Sequence, residues 1–191
     1  MPAGRNKVLE VGCGTGQTLL GLEKLGKAAE IVGVDIVDLK PQGLHGFICR
    51  DIEKTELPYP SEYFDVIICA DVLEHLYDPW GTIRKLSMYL KTGGIFLASL
   101  PNMREIRTIS LIFAAGDFKY EKEGILDKTH LRFFCRKNMI DLVMQAGLEI
   151  ECILCRELSR KRKWLNFLTL GMMEGLLAHQ YTIIARKNVN G

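Results

Sequence analysis

Val8-Leu9-Glu10-Val11-Gly12-Cys13-Gly14-Thr15-Gly16 is followed, nineteen residues beyond Gly16, by the carboxylate that ends Val32-Gly33-Val34-Asp35. An apolar run feeding a glycine loop, then a second apolar run closing on an acid, is how a βαβ unit that holds a nucleoside by its ribose is written. The glycines admit positive φ and let backbone N–H groups approach a ligand where a Cβ would collide. Asp35 stands where one carboxylate accepts from both ribose hydroxyls. A bare G-x-G also fits an ordinary tight turn. Strand, loop, helix, second strand and terminal Asp35 in series carry the nucleoside reading.

A dinucleotide loop reads G-x-G-x-x-G, with its pyrophosphate on the following helix N-terminus. Counted from Gly12 and Gly14, that pattern asks for glycine at position 17, where the chain has Gln17. The spacing is instead G-x-G-x-G, preceded by Glu10. A carboxylate there repels a pyrophosphate and suits a ligand carrying ammonium and sulfonium charge. Gly21-x-x-x-x-Gly26-Lys27 nearly matches a phosphate loop, but it lies at a helix C-terminus and continues with Ala28 in place of a magnesium-holding Ser or Thr.

Around this unit, 191 residues are enough for one domain with a substantial core. Hydrophobic content of 48% beside 25% charged residues is ordinary for a globular chain, and a net charge of +2 implies no nucleic-acid partner. No secretory leader fits ahead of a glycine loop that starts at residue 12, and the apolar stretch at 164–178 is too short to span a bilayer. Six scattered cysteines suit reduced, buried thiols and a cytoplasmic setting. Cys152 and Cys155 lie three apart on an apparent strand, so they point to opposite faces and read as packing residues.

Helix and strand signals alternate, which predicts an α/β sheet covered on both faces. Strands are expected at 7–11, 31–35, 46–50, 64–70, 95–100, 148–154 and 180–187, and helices at 17–27, from Asp78-Pro79 to about 90, at 106–115 and at 136–146. Gly93-Gly94 is expected to close the second of these, and Met139, Ile140, Val143 and Met144 to face inward from the last. Two stretches interrupt the alternation, at 102–135 and 156–179. The second is a basic cluster followed by a helix apolar on nearly all sides, and both are expected to wall the substrate side of the pocket.

The G-x-G-x-G loop with Glu10 resembles motif I of the class I S-adenosylmethionine-dependent methyltransferases. Phe64-Asp65-Val66-Ile67-Ile68-Cys69-Ala70-Asp71-Val72-Leu73-Glu74-His75-Leu76 resembles the fourth-strand motif of their type 11 group. The likeness is good over about residues 7–101. It implies a doubly wound, seven-stranded, mostly parallel Rossmann-like sheet whose last strand is antiparallel. It also implies S-adenosylmethionine as cofactor, contacted by Glu10, Gly12, Cys13, Gly14, Gly16, Asp35, Ile36, Asp51, Ile52, Ala70 and Asp71. In that reading Asp51 accepts from the adenine amine, Ile36 and Ile52 sandwich the base, and Ala70 and Asp71 neighbour the sulfonium. Thr129-His130-Leu131-Arg132-Phe133-Phe134 is similar to a segment of one subgroup associated with polysaccharide, lipid-linked sugar or quinone-type molecules. Family members carry helices ahead of motif I that close over the cofactor. Only six residues precede Lys7, so the expectation is either a truncated chain or a lid supplied by the inserts or a second subunit.

Histidine titrates near neutrality, which makes His130 and His75 the candidate bases, although either also serves as a structural hydrogen-bonding residue. Asp71-x-x-Glu74-His75 is similar to the acid-acid-histidine spacing of metal-dependent O-methyltransferases, but a polar cap on the turn is the simpler reading, and no metal is assigned. Arg160-Lys161-Arg162-Lys163 ahead of Trp164-Leu165-Asn166-Phe167-Leu168 fits a solvated turn before a core helix, or a peripheral membrane contact. The Pro-Pro-aromatic signature of many amino-group methyltransferases is absent after the fourth strand, which leaves oxygen of a small or lipid-linked molecule as the expected acceptor. A non-catalytic adenosyl-binding partner subunit, a homodimer and an NAD-dependent oxidoreductase remain as alternatives, the last opposed by Gln17.

Overall fold

The computed structural model describes residues 4, 6–156 and 160–188. In chain order the elements are β1 (Asn6–Val11), α1 (Gln17–Lys24), β2 (Ala28–Asp35), β3 (Gly46–Cys49), β4 (Phe64–Ala70), a 3-10 turn (Leu73–His75), α2 (Pro79–Tyr89) and β5 (Leu90–Pro101). They continue with α3 (Ile106–Ala114), α4 (Arg136–Met144), β6 (Leu148–Arg156), α5 (Arg160–Leu168), α6 (Glu174–Leu177) and β7 (Gln180–Lys187). The seven strands form one sheet in the order β3-β2-β1-β4-β5-β7-β6. Pairing is parallel from β3 across to β5, and β7 runs antiparallel to both β5 and β6.

Both faces of the sheet are covered, which explains why its strands read as near-continuous apolar runs. Along β1 the two-residue alternation sends Leu9 and Val11 to the face shared with Ile83 and Leu86 of α2 and Met139 and Val143 of α4. Val8 goes to the opposite face with Leu19 of α1 and Ile31 of β2. Glu10 follows Val8 in that alternation, so a carboxylate is carried into an apolar layer beneath the start of α1.

Several boundaries differ from the sequence expectation. Helix α1 ends at Lys24, because Leu25 leaves the helix and Gly26 takes φ 67°, and β2 starts at Ala28, where Ala28 pairs with Asn6. Gly93-Gly94 does not close α2. The helix stops at Tyr89 and β5 begins at Leu90, with Gly93 at φ 78° in a register shift opposite 64–66 of β4. On α4, Leu142 occupies the inward position and Met144 is exposed. The stretch at 164–178 is two helices, because Leu170 and Gly171 both adopt positive φ between α5 and α6; Trp164, Phe167, Leu168, Leu170 and Met172 face outward, whereas Leu177 and Ala178 are buried. All six cysteines are free, but only Cys13 and Cys69 are buried, while Cys49 and Cys152 are exposed.

Candidate active site

The chain leaves β1 toward β2 on one side and returns to β4 on the other, so the carboxyl ends of β1 and β4 form the switch point of the sheet. Ligands of open α/β folds bind in the crevice at such a point. A cavity of about 420 Å³ opens there, lined by Val11 of β1 and Gly12 after it, Val34 and Asp35 from β2, and Asp71 after β4. Gly12 has φ 69°, and a Cβ at that position would stand 2.4 Å from Val72 Cγ2, so only glycine lets the loop pass beneath the residues after β4.

The Asp35 carboxylate is held from both sides. Gly14 N–H donates to Oδ2 at 2.8 Å and Val37 N–H to Oδ1 at 2.9 Å, which fixes the rotamer and leaves lone pairs on both oxygens for a diol. Arg50 N–H donates to Asp35 O at 2.9 Å, tying the end of β3 to the same corner. Beyond Asp35, Ile36 is 70% exposed and Ile52 only 6%, so one side of the cavity is an open apolar flap and the other a buried wall. Asp51 lies between them. Its hydrogen bond with Lys54 holds its carboxyl below the usual range, and Oδ1 also accepts from Glu53 N–H at 2.9 Å.

Glu10 is 4% exposed, and its Oε2 has no hydrogen-bond partner. Burial pushes its pKa up to about 7, with a Thr18 hydrogen bond opposing the shift. A buried carboxylate with one oxygen unpartnered under a glycine loop fits a ligand that brings a positive group. Of the residues expected to touch cofactor, Gly12, Asp35, Ile36, Asp51, Ile52 and Asp71 line the cavity. Glu10, Cys13, Gly14, Gly16 and Ala70 lie outside its lining. Cys13 packs instead on β2, where a Cβ on Gly33 would meet its sulfur at 2.5 Å. The sequence reading missed Glu53 and Tyr77 at the rim. Glu53 accepts from Tyr77 N–H at 3.1 Å and Asp78 N–H at 2.6 Å, a brace that a single acid in a loop does not announce.

A second chamber of about 300 Å³ adjoins the first and shares Asp71 and His75 with it. Gly124, Asp127 and His130 wall it from the 102–135 insert, and His179 and Gln180 from the approach to β7. The insert is tied down by Leu131 and Arg132 N–H groups donating to Glu74 O at 2.8 and 3.0 Å. His75 and His130 meet edge to face with ring centroids 4.7 Å apart. His75 Nδ1 lies 3.2 Å from Thr129 O and His130 Nδ1 3.1 Å from Ile125 O. A carbonyl only accepts, so each Nδ1 is assigned the proton and each Nε2 the lone pair. Asp71 has φ 55°, and its Oδ1 accepts from Ser99 Oγ at 3.2 Å and from Gln180 Nε2.

Residues 2–153 match a family model described as a methyltransferase domain. Curated relatives include a ubiquinone biosynthesis O-methyltransferase of Thiobacillus denitrificans, 28% identical over 78% of this chain and 67% of the relative. Another of the same name, from Idiomarina loihiensis, is 30% identical over 75% of this chain and 61% of the relative. The chain thus spans about two thirds of the length of these relatives. A solved S-adenosylmethionine-dependent methyltransferase from Archaeoglobus fulgidus superposes with a TM-score of 0.70 at 18% identity, covering 97% of this chain and 87% of that one, which shows a shared fold. With the family model spanning the glycine loop, Asp35 and the residues after β4, this chain belongs to the methyltransferase-domain family of S-adenosylmethionine-dependent enzymes.

Proposed function

We propose that the protein is an O-methyltransferase whose acceptor is a small or lipid-linked molecule of quinone type. The observation that carries this reading is the shared wall. Asp71 and His75 border both the cavity that suits the cofactor and the chamber that contains His130, so a hydroxyl held against the histidines sits beside the methyl donor. The names of the relatives support the acceptor class.

Bound S-adenosylmethionine supplies a methyl group already activated by its sulfonium. Asp35 holds the ribose, Ile36 and Ile52 enclose the base, and Glu10 meets the ammonium of the methionine part. His130 Nε2, with His75 edge-on beside it, takes the proton from the acceptor hydroxyl. Alignment of the reacting atoms is worth about 7–11 kcal/mol of barrier, whereas a general base adds about 10²–10⁴-fold. Positioning by the two chambers therefore dominates. The exposed Trp164, Phe167 and Leu168 of α5 support a lipid-linked acceptor presented at a membrane surface.

The test uses methyl-labelled cofactor with phenolic and catecholic acceptors, free and prenylated. The expected product is a labelled ether, and His130→Ala lowers turnover by about 10²–10⁴-fold with S-adenosylhomocysteine affinity unchanged. Label appearing on nitrogen or carbon acceptors alone, or full turnover by His130→Ala, contradicts the assignment.

A further inference from the structure

We propose that a third chamber, beyond the one that contains His130, is an acceptor subsite for an uncharged apolar substituent carried by the reacting ring. Its volume is about 300 Å³, and it shares Gly124 and His179 with the His130 chamber. That chamber shares Asp71 and His75 with the cofactor cavity, so the three spaces lie in series. The proposal rests on the O-methyl transfer reading above for what stands in the middle space.

The insert builds the aliphatic part of this chamber. Glu121 N–H donates to Leu126 O at 2.8 Å and Lys128 N–H to Glu121 O at 3.0 Å, a fold-back in which Ile125 and Leu126 are buried. Half-buried Leu111 of α3 lines the chamber with them. Ile125 O is also the carbonyl 3.1 Å from His130 Nδ1, so the residue that orients the candidate base belongs to the same wall. A ring placed for His130 Nε2 thus has the aliphatic wall one residue from its base. Gly124, at the boundary, has φ 90°, and a Cβ there would meet nothing within 4 Å, so the boundary position is open and carries no side chain.

Charge decides which class of substituent fits. Arg107 and Arg162 in the lining are matched by Glu105 and Glu121, so the formal charges cancel. Glu105 is buried and fully engaged: Oε1 accepts from Arg162, and Oε2 from Arg107 N–H at 2.8 Å and Thr108 N–H at 3.2 Å. Arg162 also donates to Leu177 O at 2.8 Å. This buried pair is answered from within the protein, unlike Glu10 beneath the glycine loop with its unpartnered Oε2. A carboxylate, phosphate or ammonium entering the chamber loses its hydration against charges already compensated. A hydrocarbon group has no such cost, and it removes Leu111, Ile125 and Leu126 from water. The middle and third chambers together have the size of a small-molecule site, which is about 300–1,000 Å³.

The experiment titrates the full chain, saturated with S-adenosylhomocysteine, with catechol and with catechols bearing a methyl, propyl or hexyl group, by calorimetry. Label transfer from the methyl-labelled cofactor to the same series is followed in parallel. The expected affinity rises about three- to fourfold per buried methylene and levels once the chamber is full, while a propionate-bearing catechol of the propyl compound's length binds no better than catechol. Leu111→Trp, which fills the chamber, removes that gain and leaves catechol itself bound and methylated as in the wild type. Leu111→Ala, which enlarges the chamber, moves the plateau to a longer chain, so the proposal stays decidable even where the tryptophan variant fails to fold. Affinity independent of chain length overturns the proposal, as does an equal gain in both variants and the wild type, or a propionate that gains as much as propyl. A chain-length gain without label transfer supports the subsite and overturns the O-methyl transfer reading; label transfer without the gain does the reverse.

Discussion

At the residue scale, the proposed cofactor site turns on two carboxylates whose surroundings differ. Asp35 is open to the cavity and held ready by the Gly14 and Val37 N–H groups, so its worth is in hydrogen bonds to a ligand. Charge-assisted hydrogen bonds of about 1.5–3 kcal/mol predict that Asp35→Ala weakens S-adenosylhomocysteine binding by roughly 10–100-fold in calorimetry. Retention of wild-type affinity removes Asp35 from the site. Glu10 is enclosed, and its folded pKa of about 7 stands above the ordinary value of 4.5. Below pH 4.5 it is protonated in both states. Between 4.5 and about 7 the unfolded chain ionises it and the folded chain does not, so its contribution to stability falls as pH rises through that window and then levels. The shift corresponds to roughly 3 kcal/mol at most, and Glu10→Gln flattens the fall, as read from urea midpoints at pH 5 and pH 8. The proposed cationic group of the cofactor beside Glu10 would reverse the shift, so the expected outcome is proton release on cofactor binding near pH 6.5, read as a buffer-dependent binding enthalpy; no buffer dependence removes Glu10 from the proposed contact.

At the element scale, the site is assembled from ends of elements, and each end has its own stop signal. Asp78 caps α2 by accepting Gly81 N–H at 2.9 Å, with Pro79 at the first helical position. From inside α2, Lys85 Nζ donates to Thr55 O at 3.0 Å and to Glu53 O at 3.3 Å, clamping the loop that contains Asp51 and Ile52. Asp78→Ala is expected to cost about 1 kcal/mol in denaturant unfolding and to raise the cofactor dissociation constant only mildly, since the clamp from Lys85 persists. A large loss of cofactor affinity from this substitution would show that the cap, not the clamp, shapes the rim. The 102–135 insert is tied at its far end by backbone bonds to Glu74 O and at its near end by Asn102 to His179 O, Gly175 O and Ala178 O, which explains how an irregular segment places His130 against His75.

At the scale of the whole molecule, no helix among the described residues is long and apolar enough to cross a membrane, yet Trp164, Phe167, Leu168, Leu170 and Met172 all stand exposed around α5. Lys163 is exposed beside them, whereas Arg162 pairs with the buried Glu105. A surface of this kind predicts flotation with anionic vesicles that salt weakens and that Trp164→Ala/Phe167→Ala reduces. Equal flotation by that variant refutes the surface. The nucleoside half of the protein was legible from local pattern, because a glycine loop and the acid nineteen residues after it lie on consecutive strands of one βαβ unit. The sheet was legible too, since strands buried on both faces print as apolar runs. Boundaries such as the start of β5 were not, because strand pairing overrode the local stop signal of Gly93-Gly94. The outward turn of Trp164, Phe167, Leu168, Leu170 and Met172 was equally hidden, since composition records apolarity and not direction. The order of elements and the acid that ends β2 at the cavity were thus determined by the chain itself. The meeting of Glu74, His75 and His130, and the two chambers that share Asp71 and His75, were decided only when the insert packed against the turn after β4, because long-range convergence leaves no periodic trace along a sequence.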